Sequence, residues 1–98
     1  MKKWKLLPRA ISDLDEIWVY GANRWDRDQA DSYLRSLNLA FERIGDGRVA
    51  GHKLPSKHTG FRQYRVTSHF VVFRKVDQLV EIARILHVRM DADRHILL

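Results

Sequence analysis

Residues 79–91, Leu-Val-Glu-Ile-Ala-Arg-Ile-Leu-His-Val-Arg-Met-Asp, constrain the fold more than any other stretch. The run opens with aliphatic and β-branched side chains just after Asp77-Gln78, the pattern of a buried strand. Glu81, Arg84, His87 and Arg89 interrupt it. A strand built this way packs a core with one face and shows charge on the other. The remaining chain must supply what that strand packs against.

Two amphipathic helices precede it. Ala10, Leu14, Ile17, Trp18, Gly21, Ala22 and Trp25 recur at spacings of three and four and mark one apolar face. Ser12, Asp13, Asp15, Glu16 and Asn23 fall on the opposite, polar side. Pro8 suits a first helical turn, where a missing N–H costs nothing. Asp26, followed three residues later by Gln29, has the spacing of a capping box. Ala30, Tyr33, Leu34, Leu37, Phe41 and Ile44 then form a second stripe, which Gly45 can end. Helices joined by so short a turn fold back antiparallel.

Lys3 to Leu7 is short enough for only a brief first strand. Residues 46–60 are punctuated by Gly47, Gly51, Pro55 and Gly60 and carry Arg48, His52, Lys53, Lys57 and His58. They are expected to form a basic loop, long for a compact domain. Phe61 to Thr67, His69 to Lys75 and Leu79 to His87 read as three strands joined by tight turns, an antiparallel meander. The expected architecture is α+β: an N-terminal strand and an antiparallel helical hairpin packed on a three- to four-stranded, mainly antiparallel sheet. A chain of 98 residues makes residues 1–98 one domain. The hairpin should cover one sheet face, leaving the other face and the loop for partners.

The formal net charge is +6, unevenly spread. Six of the twelve acids lie before residue 32, whereas residues 43–75 hold eight Lys or Arg against Asp46 alone. That asymmetry suits an acidic partner, either nucleic acid or an anionic protein segment. With no cysteine, thiolate metal sites and disulfides are excluded. No apolar run approaches the roughly 18 residues a membrane span needs, and Pro8-Arg9 cut short the apolar start. A cytoplasmic protein is expected.

Several fragments in register resemble the RelE/ParE toxin superfamily, and its ParE branch in detail. They are Ala10-x-x-Asp13-Leu14-x-x-Ile17, Trp25 with Gln29-Ala30-x-x-Tyr33-x-x-x-Leu37, Gly60-Phe61-Arg62, and His69 with Val72-Phe73-Arg74. The last and most specific is Ile82-x-Arg84-Ile85-Leu86-His87-x-x-Met90-Asp91-x-x-Arg94-His95. Two turns depart from the pattern: Asp26 stands where a glycine is common, and Asp46-Gly47-Arg48 where a proline is. The resemblance implies a toxin of a type II toxin–antitoxin module that inhibits DNA gyrase and so blocks replication, as plasmid-stabilisation toxins do. It also implies a ParD-like cognate antitoxin that wraps the toxin in a hetero-oligomer. The sister RelE branch instead cleaves mRNA on the ribosome.

The residues expected to meet the target are Arg62, Arg65, Arg84, His87, Arg89, Asp91, Arg94 and His95, with the arginines converging on an open sheet face. For Arg84, set among Ile, Ala and Leu, an ion pair is the competing role, because buried arginine is rare unless paired. Trp18, Tyr20, Tyr33 and Phe61 are expected to meet the antitoxin, in the groove between the helices or along a sheet edge. Of these, Trp18 and Tyr33, like Trp25, also fit buried stripes, which leaves Tyr20 as the exposed anchor. A ribonuclease would draw on Arg62, Arg84 and His87, but the last tyrosine is Tyr64, far from the C-terminal position where that branch keeps its acid–base tyrosine. A non-enzymatic toxin is therefore favoured; a basic nucleic-acid-binding module without toxicity is a third reading. His87, Asp91 and His95 have helical ligand spacing, yet His87 ends a strand, so no metal, cofactor or small-molecule substrate is expected.

Overall fold

A computed structural model describes residues 3–54 and 60–90. The elements run β1 (Trp4–Leu6), α1 (Pro8–Arg24), α2 (Arg27–Gly45), β2 (His52–Lys53), β3 (Arg62–Val66), β4 (His69–Val76) and β5 (Leu79–His87). Leu7 is extended, at φ −75 and ψ 159, as a residue before proline prefers, and Pro8 opens α1. The Asp26 carboxylate accepts the Gln29 N–H at 2.8 Å and starts α2 where the capping spacing placed it.

The sheet order is β1-β5-β4-β3-β2, with β1 parallel to β5 and the other pairs antiparallel. The expected α+β arrangement is therefore present, with β5 at its heart. The fifth strand, β2, lies inside the segment expected to be a loop. Arg62 builds it: its Nε and Nη2 donate to the carbonyls of Ala50 and Gly51 at 2.5 and 3.0 Å. Gly51 has φ +65, and a Cβ there would sit 2.5 Å from the Gln63 carbonyl oxygen, so only glycine lets the two backbones approach.

The alternation in β5 breaks once. Val72 pairs with Arg84 and Phe73 with Ile82, which leaves Ala83 as a bulge. Ile82 and Ile85 consequently both meet the helix layer, where Leu37, Phe41 and Ile44 of α2 and Ala10 of α1 join Val71, Phe73 and Val80. Ala83 and Leu86 meet the other side. There the structure corrects the expectation of an open face: Val72, Ala83 and Leu86 are buried with Leu54 and Phe61, and Leu7 packs against them. At about 1.5–3 kcal/mol per fully buried aliphatic side chain, this second cluster is a real core and not a surface offered to a partner.

Candidate functional site

β1 covers the outer edge of β5 from Val80 to Ile82, and the Leu7 N–H adds a bond to the Ile82 carbonyl at 2.9 Å. Beyond that point the chain turns into α1, and among the described residues no strand covers the edge. Asp13 does the work instead. Its Oδ2 accepts the backbone N–H of Ile85 at 2.9 Å and Arg84 Nε at 2.8 Å, while Oδ1 accepts Arg84 Nη2 at 2.9 Å. Both side chains are buried. The Asp13 hydrogen bond raises the Arg84 pKa further, against the opposing effect of burial. A fork-to-fork pair of this kind is geometrically specific. It also corrects the assignment of Asp13 to a solvent face.

Past this pair a groove of about 650 Å³ opens between the helical hairpin and the ends of β4 and β5. Ile17, Tyr20 and Gly21 of α1 line one wall and Gln29, Ala30 and Tyr33 of α2 another; His69, His87 and Met90 come from the sheet end. Gly21 and Ala30 permit a close helix crossing, since a Cβ on Gly21 would lie 3.4 Å from that of Ala30. Trp18 Nε1 donates to Asp31 Oδ1 at 2.8 Å and ties the two helices together.

Trp25 stands at the lip of this groove. Its stripe position predicted a core residue, but it is 65% exposed, because α1 has ended and the chain leaves the helix layer there. Its ring meets Tyr20, 61% exposed, edge-on at 6.4 Å, and the Arg24 guanidinium sits 5.9 Å from both ring centres. With Met90, also exposed, they form an apolar rim.

The floor is polar and closely held. Tyr33 Oη donates to the Val66 carbonyl at 3.0 Å, accepts the Ser68 N–H at 3.3 Å and lies 2.7 Å from His69 Nδ1. Burial raises the Tyr33 pKa, with the Ser68 N–H pulling the other way. Burial lowers that of His69; neighbouring His87 lowers it further, and Asp13 opposes both. Thr67, at φ 51 in the left-handed region, is fixed by Arg65 Nε on its carbonyl at 2.8 Å.

The structure does not gather the arginines expected to converge. Arg84 is sealed against Asp13, Arg62 holds the segment before β2, and Arg65 braces the β3–β4 turn. Arg89 is exposed beyond β5, its backbone N–H on His87 Nδ1. Tyr20 and Tyr33 do reach the groove; Trp18 lies between the helices, and Phe61 is buried on the far sheet face under the Arg74 guanidinium. Asp91, Arg94 and His95 lie outside the described residues. Two groove residues, Trp25 and His69, were not among the residues expected to meet the target or the antitoxin, although both stand in the family fragments, one as an aromatic at a helix end and the other as a histidine at a strand start.

Residues 5–92 match the model of the family described as the ParE toxin of the type II toxin–antitoxin system parDE. The chain belongs to this family. Toxin ParE1 of Caulobacter vibrioides is 40% identical over 96 residues, 98% of this chain and 99% of that one. Toxin ParE1 of Mycobacterium tuberculosis is 34% identical over 95 residues, 96% and 97% of the two chains. A solved structure described as the chromosomal ParDE TA system from P. aeruginosa shares the fold, with a TM-score of 0.78 at 22% identity over 91% of this chain and 98% of that one. The protein is thus a ParE-type toxin. Among its described residues no helix is long and apolar enough to cross a membrane, and no three His, Cys, Asp or Glu side chains are grouped to hold a metal ion.

Proposed function

We propose that this ParE-type toxin acts in the cytoplasm by binding DNA gyrase, and that a ParD-like cognate antitoxin neutralises it by laying an apolar segment into the groove at Tyr20 and Trp25. The observation that carries the antitoxin reading is the exposed aromatic lip over an apolar cleft. Large aromatics at 61% and 65% exposure contribute little to folding, and such residues anchor protein interfaces. A helix with spaced apolar anchors fits between two helices and a sheet end. The gyrase reading follows family membership and the +6 charge, which steers the chain toward an anionic assembly.

Gyrase supercoiling is expected to stop on adding the purified toxin and to recover on adding the product of the adjoining gene. Full supercoiling at large toxin excess would refute the target. The ribosome-dependent nuclease reading loses support, because Arg62 and Arg84, two of its three candidate residues, are spent on contacts within the chain.

A further inference from the structure

His69 and His87 are cross-strand partners, their ring centres 5.4 Å apart and their planes at 83°. Each ring has one nitrogen committed. The phenol of Tyr33 owns a single proton, and the Val66 carbonyl, which can only accept, takes it. With the phenol proton on the Val66 carbonyl, the 2.7 Å contact between Tyr33 Oη and His69 Nδ1 takes its proton from the ring; the same contact also admits the reverse, a phenol that donates to Nδ1. In the first arrangement His69 carries its proton on Nδ1 and a bare lone pair on Nε2. At His87 the opposite holds. The Arg89 N–H donates to Nδ1 at 3.1 Å, so the ring proton sits on Nε2. Neither Nε2 has a hydrogen-bond partner among the described residues, and both rings line the groove.

We propose that the groove floor is a preset acceptor–donor pair, His69 Nε2 beside His87 Nε2–H, which selects a neutral carboxamide side chain on an otherwise apolar antitoxin segment and lets go of it in acid. This rests on the antitoxin reading above. An occupant that excludes water from the floor must satisfy both nitrogens, because a buried polar group without a partner is costly. A carboxamide brings one donor group and one acceptor on a single planar side chain; a carboxylate brings only acceptors and an ammonium only donors.

Acid reverses the pattern at one atom. Protonation turns His69 Nε2 from acceptor to donor and places a charge in a half-buried site. The groups that face it are His87 from β5, Tyr33 from α2, and Asp13, Glu16 and Arg84 around the groove wall. Asp13 and Arg84 neutralise each other. Burial in the free chain already disfavours the imidazolium, and an apolar occupant disfavours it more, so the complex holds fewer protons than its parts and weakens as pH falls.

Two measurements test this. Long-range nitrogen–proton NMR of the free toxin is expected to show His69 as the Nδ1–H tautomer and His87 as the Nε2–H tautomer, with Tyr33→Phe eroding the first. The affinity of the toxin for the antitoxin encoded beside it, obtained by co-expression, is expected to be flat at alkaline pH. Below the titration of His69 it should loosen by roughly tenfold per pH unit. His69→Gln is expected to remove that dependence, separating it from any titration within the antitoxin. An Nε2–H tautomer at His69 overturns the proposal, as does an affinity that rises on acidification or a slope that survives His69→Gln. No complex at any pH refutes the antitoxin reading and this occupant with it, while the tautomers still decide whether the floor is preset.

Discussion

The two halves of β5 meet their surroundings in different ways. From Val80 to Ile82 the outer edge is closed by the backbone of β1, with Trp4, buried against Phe41 at 5.1 Å between ring centres, and Leu6 packed beneath. Around Ile85 the same edge is closed by one carboxylate, that of Asp13. An uncovered strand edge invites pairing with another chain. The first half spreads its closure over several bonds and much apolar contact. The second concentrates it in one side chain and leaves the space beside it as a groove. A stable fold and an open site share one strand because its two ends are secured by different means.

The sharpest way to break this contrast is Asp13→Ala. It takes the two-pronged carboxylate partner from the buried Arg84 guanidinium and orphans the Ile85 N–H, and about 3–5 kcal/mol of stability is expected to go, read from urea unfolding. Replacing both partners, Asp13→Leu with Arg84→Met, should recover part of that loss, since no charge is then left buried. Next comes Trp25→Ala at the groove lip. Its stability should change by no more than about 0.5 kcal/mol, as for other exposed positions. Antitoxin affinity should fall by about 2–4 kcal/mol, measured by calorimetry. The β1 half is probed by Gly45→Ala, whose Cβ would lie 2.8 Å from Trp4 Cδ1. About 1–3 kcal/mol of overpacking is expected there, with antitoxin binding retained.

The sequence made the first half of this comparison readable and hid the second. Apolar spacing and the Asp26 cap located both helices, and the aliphatic run located β5. Strict alternation could not locate the bulge at Ala83, which re-aims everything after it; the sequence left Arg84 either a target-facing cation or half of an ion pair, and it is the edge-on partner of Asp13, which no pattern named. Asp13 itself looked solvent-facing because helical periodicity knows nothing of a strand edge in need of an acceptor. Trp25 failed for a related reason: a stripe continues past a helix end in sequence but not in space. The groove arises where two helix ends meet one sheet end, and no local pattern encodes that meeting.

The smallest expected effect separates the halves by pH. On the β1 side, Glu81 accepts Arg74 Nε at 2.9 Å and pairs with Lys5 Nζ at 3.4 Å; the Arg74 hydrogen bond is the main cause of its lowered pKa. A carboxylate lowered on folding stabilises the fold above its ordinary value of 4.5, and that share is lost as pH falls through the lower folded value. On the groove side, burial lowers His69 below its ordinary 6.5. There the unfolded chain takes up its proton first, so stability is whole above 6.5, declines as pH drops from 6.5 to the folded value, and then levels off. The two windows open at different pH, the His69 window at 6.5 and the Glu81 window at 4.5. Unfolding free energy followed from pH 8 to pH 3 is expected to step down twice, with His69→Gln deleting the upper step and Glu81→Gln the lower. An upper step that outlasts His69→Gln would assign it to another histidine and detach the proton response from the groove floor.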